Sequence, residues 1–207
     1  MKLAEKITLL SDGSVRWKYS FMNLSQFLVR TGCSYSFHKG KSVSAGIAST
    51  LSYNENRPSR SEFRIWQEIS SQGEVKRFNI SARLRLEEQF FKKIIENKFC
   101  GNSFNYYRIR FRLYATIPLN HDIVTAKTIS INAGNEIFIN FGKEIVYNMF
   151  DNNRILGGIS YQINKSWSLN LNYVYQYTQK NLPNVYEQSN ILWLSFTNIV
   201  LRSKAKK

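Results

Sequence analysis

Arginines spaced two residues apart are the side chains whose chemistry this sequence specifies most directly. Arg108, Arg110 and Arg112 stand at alternate positions, and Arg83 and Arg85 show the same spacing upstream. A guanidinium group is planar and permanently charged, and it donates paired hydrogen bonds to carboxylates and phosphates. The spacing therefore predicts recognition of acidic groups, either within the protein or on a bound anion.

Further charges in the middle of predicted strands complete the set. We predict that guanidinium groups bridge carboxylates in a ladder across neighbouring strands, inside the lumen of a barrel. An anion-guiding track made by the same arginines is the alternative. The predicted residues of this ladder or track are Glu62, Arg64, Arg83, Arg85, Glu87, Arg108, Arg110, Arg112, Glu136 and Arg154.

Enzymatic chemistry finds little support in the remaining reactive side chains. The sequence has two histidines, His38 and His121, and both fall in predicted turns. Asp122 follows His121, but no serine on that turn is an evident nucleophile, so a solvated turn histidine is favoured. Glutamates that face several arginines are expected to form salt bridges, which suits no general acid. The prediction is a protein that is not an enzyme.

Cysteine and glycine spacing gives no sign of a metal or cofactor site. Cys33 and Cys100 are the two cysteines, and no CxxC motif or cysteine–histidine cluster is present. A zinc-finger type of site is excluded, and we predict unlinked cysteines, Cys33 within a strand and Cys100 in a loop. Gly157–Gly158 lies in a predicted strand and lacks the spacing of a phosphate-binding loop.

An alternation with a period of two residues predicts the elements that position these charges. In the segment 106–117, the three arginines share one face with tyrosine and threonine, and the other face is almost entirely apolar. The segment 80–89 separates into a charged and an apolar face in the same way. A strand has this periodicity, whereas a helix would scatter the arginines around its circumference.

Continued along the chain, the pattern predicts about ten strands, with twelve as the alternative. Most of them reach the roughly 9–11 residues that a strand needs to cross a membrane. The predicted strands are Glu5–Tyr19, Leu24–Phe37, Ser42–Tyr53, Arg60–Ser70, Val75–Phe90, Phe104–Ile117, Lys127–Phe141, Asn152–Ile163, Trp167–Thr178 and Glu187–Leu201.

Connections between these strands are predicted to alternate in length, as the turns and loops of outer-membrane barrels do. The short ones are His38–Lys41, Ser71–Gly73 and Asn164–Ser166. The longer ones are Asn54–Ser59, Phe91–Ser103, Gly142–Asp151 and Gln179–Tyr186. The short Ser20–Asn23 and the long Pro118–Ala126 depart from the rule.

A sheet of this size with so much apolar surface could not safely leave two edges free. We therefore predict an all-β protein, a single closed antiparallel up-and-down transmembrane barrel over residues 1–207, with a basic tail at 202–207. Mid-strand arginines indicate that the charged face lines the lumen and that the apolar face meets lipid. The candidate interfacial aromatic residues are Trp17, Tyr19, Phe21, Phe90, Phe91, Tyr106, Tyr107, Tyr175 and Tyr177.

The net charge of the chain and its N-terminal sequence limit which partners and cellular locations are expected. Lys and Arg outnumber Asp and Glu by 29 to 14, a net charge of +15, which implies an anionic partner. Membrane lipids are the predicted partner, with an anionic solute or a protein at the rim or loops as the other candidates. Nucleic acid is not expected, because Phe111 lies opposite the arginines and cannot stack bases beside them. Residues 1–13 lack the apolar run of a signal peptide, so the chain is expected to be in its mature form, or its start to be truncated or miscalled.

Six motifs, in order along the chain, resemble those of a known family. They are FLVRTGCSYSF (27–37), SEFRIWQEI (61–69), LRLEEQF (84–90), YRIRFRLYATIPL (107–119), NEIFINFG (135–142) and DNNRILGGISYQI (151–163). Together they resemble the domain-of-unknown-function 2490 family of predicted outer-membrane β-barrels of Gram-negative bacteria, from about Leu9 to Leu201. The resemblance implies a barrel in the bacterial outer membrane with no established activity.

The function predicted from the sequence is a structural or interaction barrel whose lumen is plugged by arginine, glutamate and tyrosine side chains. A barrel of about ten strands leaves only a narrow passage once such side chains fill it. Two alternatives stay open. One is a narrow channel for anions or acidic oligosaccharides, and the other is a soluble barrel that binds an acidic ligand.

Overall fold

The computed structural model describes residues 5–18 and 21–200 as β-strands joined by turns and loops. The strands are β1 (Ile7–Lys18), β2 (Asn23–His38), β3 (Lys41–Asn54), β4 (Arg57–Val75), β5 (Phe78–Ile95), β6 (Lys98–Pro118), β7 (Thr128–Phe141), β8 (Phe150–Gln162), β9 (Trp167–Gln179) and β10 (Tyr186–Asn198). The predicted basic tail at 202–207 and Tyr19 lie outside the described residues. Within those residues, no helix is long and apolar enough to span a membrane.

Each strand pairs antiparallel with the strand that follows it, which gives one ten-stranded up-and-down sheet. The predicted all-β, up-and-down architecture is confirmed, with ten strands among the described residues. Pairing in this part of the chain joins sequence neighbours only, so β1 and β10 form the two edges. We call the end where β1 starts and β10 finishes the terminal end. The other end is called the loop end.

Contacts between distant strands show that the sheet curls into a half-barrel. The hydroxyl of Tyr114 on β6 lies 3.4 Å from Oδ1 of Asn172 on β9. Three strand spacings of a flat sheet amount to about 14 Å, so curvature must bring these side chains together. Arg16 on β1 and Arg154 on β8 are also close enough for their charges to repel each other. The concave side of the sheet is called the inner face below, and the convex side the outer face.

Turn positions differ from the prediction in the first half of the chain. The segments Ser71–Gly73 and Phe91–Ser103 lie largely within strands, and β4, β5 and β6 are 19, 18 and 21 residues long. The predicted loop Asn54–Ser59 is a two-residue turn at Glu55 and Asn56, with φ of 49° and 62°. Left-handed conformations at both positions match the twist of antiparallel strands, which allows very tight hairpins. The predicted alternation of short and long connections is therefore wrong between β3 and β6, whereas the connections after Phe141 and Gln179 are longer loops, as predicted.

The two faces of the sheet have opposite polarity. Leu84, Phe111 and Leu113 point outward, and each is 48% exposed. Charged and amide side chains of the same strands point inward and are largely buried. Of the predicted interfacial aromatics, Phe91 and Tyr106 point inward instead and stack on each other, with ring centroids 5.0 Å apart. The error follows from adjacent aromatic residues, because neighbours along a strand point to opposite faces.

Two glycines make room for a large inner side chain. Gly32 on β2 and Gly46 on β3 are register partners, and a Cβ at either position would lie within 2.6 Å of the Trp66 ring. Trp66 is 1% exposed. The guanidinium groups of Arg85 and Arg30 lie 4.8 Å and 5.8 Å from its ring centroid. The missing side chains therefore let an indole pack flat against the sheet and cover two cations.

Candidate functional site: a buried charge network

The predicted ladder residues lie on the inner face of β4 to β8, where strand register places them in rows. Glu87 is the register partner of Arg108. Glu136 on β7 stands between Arg112 on β6 and Arg154 on β8. Every second residue of each strand joins the rows, because alternate side chains share a face.

Glu87 is the most heavily bonded carboxylate of this network, and it is 0% exposed. Its Oε2 accepts hydrogen bonds from Arg108 Nη2 at 2.7 Å and Nε at 3.0 Å. Its Oε1 accepts from Arg110 Nη1 at 2.7 Å and Arg64 Nη1 at 3.3 Å. Arg64 also donates through Nε to Glu62 at 2.8 Å. A buried carboxylate is tolerated only when paired in this way, because its desolvation is otherwise too unfavourable.

Glu136 is the second centre and links β5, β6 and β8. Its Oε1 accepts hydrogen bonds from Arg83 Nη2 at 2.5 Å and from Arg110 Nη2 at 2.9 Å. Arg154 Nη1 lies 3.9 Å from its Oε2. Arg110 therefore bridges Glu87 and Glu136, and the two centres form one network.

Two carboxylates of the network were missed by sequence reasoning. Glu68 accepts hydrogen bonds from Arg85 Nε at 2.7 Å, and Asp151 accepts from Arg108 Nη1 at 3.0 Å. Glu68 has the same parity as Glu62 on β4, a signal that could have placed it on the inner face. Asp151 was assigned to a loop, since β8 was predicted to begin one residue later.

A phenyl ring occupies the centre of the arginine cluster. Phe138 on β7 is 2% exposed, and its ring centroid lies 4.6 Å from the guanidinium carbons of Arg110 and Arg154. Arg108 lies 5.4 Å away from the same ring. The negative face of an aromatic ring attracts cations, so Phe138 separates guanidinium groups that would otherwise repel one another.

Among the described residues, three inner arginines take no part in the ion pairing: Arg16, Arg112 and Arg60, whose guanidinium carbon lies 4.9 Å from the ring of Phe91. Within the described residues, Arg112 has no carboxylate oxygen within 4 Å, and its guanidinium carbon lies 5.6 Å from the ring of Tyr114. Arg16 likewise has no ion pair there, and it is close enough to Arg110 and Arg64 to be repelled by them. The inner face therefore carries more cations than its carboxylates neutralise.

Reactive side chains elsewhere in the described residues are not gathered into a site. Nδ1 of His121 lies 3.2 Å from the hydroxyl of Thr128. Cys33 and Cys100 are free, as predicted, although Cys100 lies in β6 and not in a loop. No group of three His, Cys, Asp or Glu residues suited to a metal ion occurs in this part of the chain.

The fold and the network define a class of all-β protein that places ions on its inner face and apolar side chains on its outer face. The chain belongs to the family described as protein of unknown function (DUF2490), whose model matches residues 1–187. This match confirms the family resemblance carried by the sequence motifs. No curated protein and no solved structure matches the chain.

Proposed function

We propose that this chain is a closed β-barrel of the bacterial outer membrane, with a lumen plugged by its own arginine and glutamate side chains. In this role it is a structural or interaction protein. Its outer face meets membrane lipids, and its rim or loops meet a protein partner. The polarity of the sheet is the observation that carries the proposal.

The outer face supports a lipid environment over water. A soluble barrel places apolar residues inside and polar residues outside, the reverse of the arrangement described above. Two polar side chains on the outer face pair with each other. Asn135 and Asn153 on β7 and β8 exchange hydrogen bonds of 3.0 Å and 3.2 Å. Such pairing is favoured where no water is present to bind polar groups.

Closure between β1 and β10 follows from the same environment. Unpaired backbone N–H and C=O groups at the edges of an open sheet cost several kcal/mol each in hydrocarbon. Curvature already brings Arg16 of β1 near Arg154 of β8. Pairing of the two edge strands would satisfy both rows of backbone groups.

The plug is supported by the hydrogen bonds of the network. The guanidinium groups of Arg64, Arg108 and Arg110 are held by buried carboxylates across the inner face. Groups held in this way are unavailable to a passing anion. The network therefore favours a structural role over transport.

The native cysteines provide a test of membrane insertion. Cys33 lies on the outer face in the middle of β2, and Cys100 lies three residues beyond the turn at Glu96 and Asn97. Cys100→Ser and Cys33→Ser each leave one thiol for an environment-sensitive fluorophore. In vesicles that contain brominated lipids, we expect strong quenching at Cys33 and little quenching at Cys100.

Equal quenching at both positions would mean that the protein adsorbs without the proposed orientation. A labelled chain that stays dissolved without detergent or vesicles, with no quenching at either position, would show that the membrane location is wrong and favour the soluble alternative.

A narrow anion channel is the second candidate, favoured by the inner arginines Arg16, Arg60 and Arg112, which lack carboxylate partners among the described residues. Single-channel recordings in a planar bilayer test it, because a plugged barrel should give no steady current. Anion-selective steps that weaken in Arg112→Gln would establish the channel. Arg112 is the informative position, since Arg108 and Arg110 are held by Glu87.

A further inference from the structure

A second feature of the inner face is a cavity of about 520 Å³ at the terminal end. It is lined by inward side chains of β4 to β9 and by the loop between β6 and β7. Small-molecule sites in proteins commonly measure about 300–1,000 Å³. The cavity is therefore large enough to hold a small ligand beside the charge network.

The lining of the cavity is polar but almost without charge. Glutamine and asparagine amides alternate with serine, threonine and tyrosine hydroxyls, and Glu74 is the one charged residue among the described lining residues. Representative lining residues are Asn79, Tyr114, Ser130, Asn132, Ser160 and Asn170. The inward arginines of β6 end at Arg112, one inward position before Tyr114. The inner face thus changes from charged to neutral within one step of β6.

Asn132 in this lining retains an unsatisfied donor. It is 3% exposed, and its Oδ1 accepts hydrogen bonds from Thr116 at 3.0 Å and Ser160 at 3.5 Å. These donors fix the orientation of the amide, and its Nδ2 has no acceptor among the described residues. A buried polar group without a partner costs about 1–3 kcal/mol, which an acceptor on a bound molecule would remove.

The loop from 119 to 127 contributes an apolar wall. Ile123 and Val124 line the cavity, and the loop is anchored from the neighbouring turn. Arg77 Nη2 donates to the carbonyl oxygens of Pro118 at 3.2 Å and His121 at 3.0 Å. The cavity therefore combines hydrogen-bonding groups on the sheet with aliphatic carbon on a tethered loop.

We infer that this cavity binds a short neutral saccharide. Hydroxyl groups of a sugar both donate and accept, which matches a lining of amides and hydroxyls, and its C–H faces match the aliphatic loop. An anion would find one carboxylate and no lysine or arginine in the lining. An apolar ligand would leave the amides without partners. The inference goes beyond the proposed membrane role and does not depend on it.

Titration calorimetry of the folded full chain tests the inference. The probes are maltose, cellobiose and N,N′-diacetylchitobiose, with sodium sulfate as the anionic comparison. A zwitterionic detergent is required, because the headgroup of a maltoside detergent would itself compete for the cavity. We expect saturable binding of at least one disaccharide and none of sulfate.

Asn132→Asp keeps the acceptor and removes the donor, so it should weaken disaccharide binding about tenfold. Asn135→Asp, on the outer face of the same strand, is the matched control and should leave binding unchanged. Asn170→Leu is a second cavity variant, whose native side chain makes no hydrogen bond to another described residue. It should also weaken binding, and it keeps the test decisive if Asn132→Asp does not fold.

Absence of binding by all three disaccharides to the folded chain would overturn the inference. Sulfate binding that disappears in Arg112→Gln would also overturn it and assign the terminal end to anions. Disaccharide binding that is unchanged in both Asn132→Asp and Asn170→Leu would show that the sugar binds elsewhere.

Discussion

The centre and the terminal end of the inner face both bury polar side chains, but they satisfy the hydrogen-bonding groups of those side chains differently. In the centre, carboxylates such as Glu87 are surrounded by guanidinium groups, which donate hydrogen bonds to them from neighbouring strands. At the terminal end, neutral amides and hydroxyls surround an open cavity, and Asn132 keeps an unpaired donor. The centre is arranged to be satisfied by its own residues. The terminal end is arranged so that a ligand could satisfy it.

The comparison indicates which residues of the inner face contribute to stability and which contribute to ligand binding. Ionic groups must be paired wherever they are buried, because an unpaired charge is far more unfavourable than an unpaired amide. We expect substitutions in the centre to change stability and substitutions at the terminal end to change binding.

Glu87→Gln gives the largest expected effect, because it leaves four guanidinium groups, those of Arg64, Arg85, Arg108 and Arg110, without their shared carboxylate. Breaking a buried ion pair from one side typically costs about 3–5 kcal/mol of unfolding free energy. Urea unfolding of the detergent-refolded or vesicle-inserted chain measures the loss. Glu88→Gln, the neighbour on the outer face, is the control and should change little. Similar stability of the two variants would show that the centre does not depend on its charges.

Gly46→Val should have the next largest effect. Its side chain would collide with the Trp66 ring and the backbone of β2, because a Cβ at this position would lie only 2.6 Å from the indole. Overpacking of this kind costs about 1–3 kcal/mol. A lower midpoint of denaturant unfolding is the expected result. Gly157→Ala, at a position with open space for a Cβ, should be nearly neutral.

Arg112→Gln should have the smallest effect on the free energy of unfolding. Arg112 lies where the charged centre of the inner face meets the neutral terminal end. Arg112 holds no carboxylate within the described residues, so its loss should cost less than about 1 kcal/mol. Arg110→Gln, two residues away, removes bonds to both Glu87 and Glu136 and should cost several times more. If Arg112→Gln and Arg110→Gln lowered the denaturant midpoint equally, Arg112 would belong to the charged centre, and the centre would extend towards the terminal end.

Periodicity along single strands was predicted well because it depends on local geometry. Arg108, Arg110 and Phe111 were assigned to the correct faces of β6, since alternate side chains of any strand point to opposite sides. The same rule placed Glu87 on the inner face. The family was also recognisable from the order of short motifs, and its model matches residues 1–187.

Positions that depend on turns were predicted less well. The polar segment after Phe90 was assigned to a loop, although it continues β5 and β6 to a turn at Glu96 and Asn97. The end of a strand that extends beyond its neighbouring strands can have the same polar composition as a loop, so composition does not distinguish the two. Only the pairing of the two strands determines where such a hairpin ends.

The sequence by itself determined the strand class, the inner and outer sets of side chains and the excess of arginine. The tertiary structure alone decided which of these arginines meet a carboxylate. Arg110 and Arg112 are both arginines on the inner face of β6. Arg110 nevertheless bridges two glutamates, whereas Arg112 lies beside Tyr114. Register and curvature set these distances across several strands, and no local pattern in the chain records them.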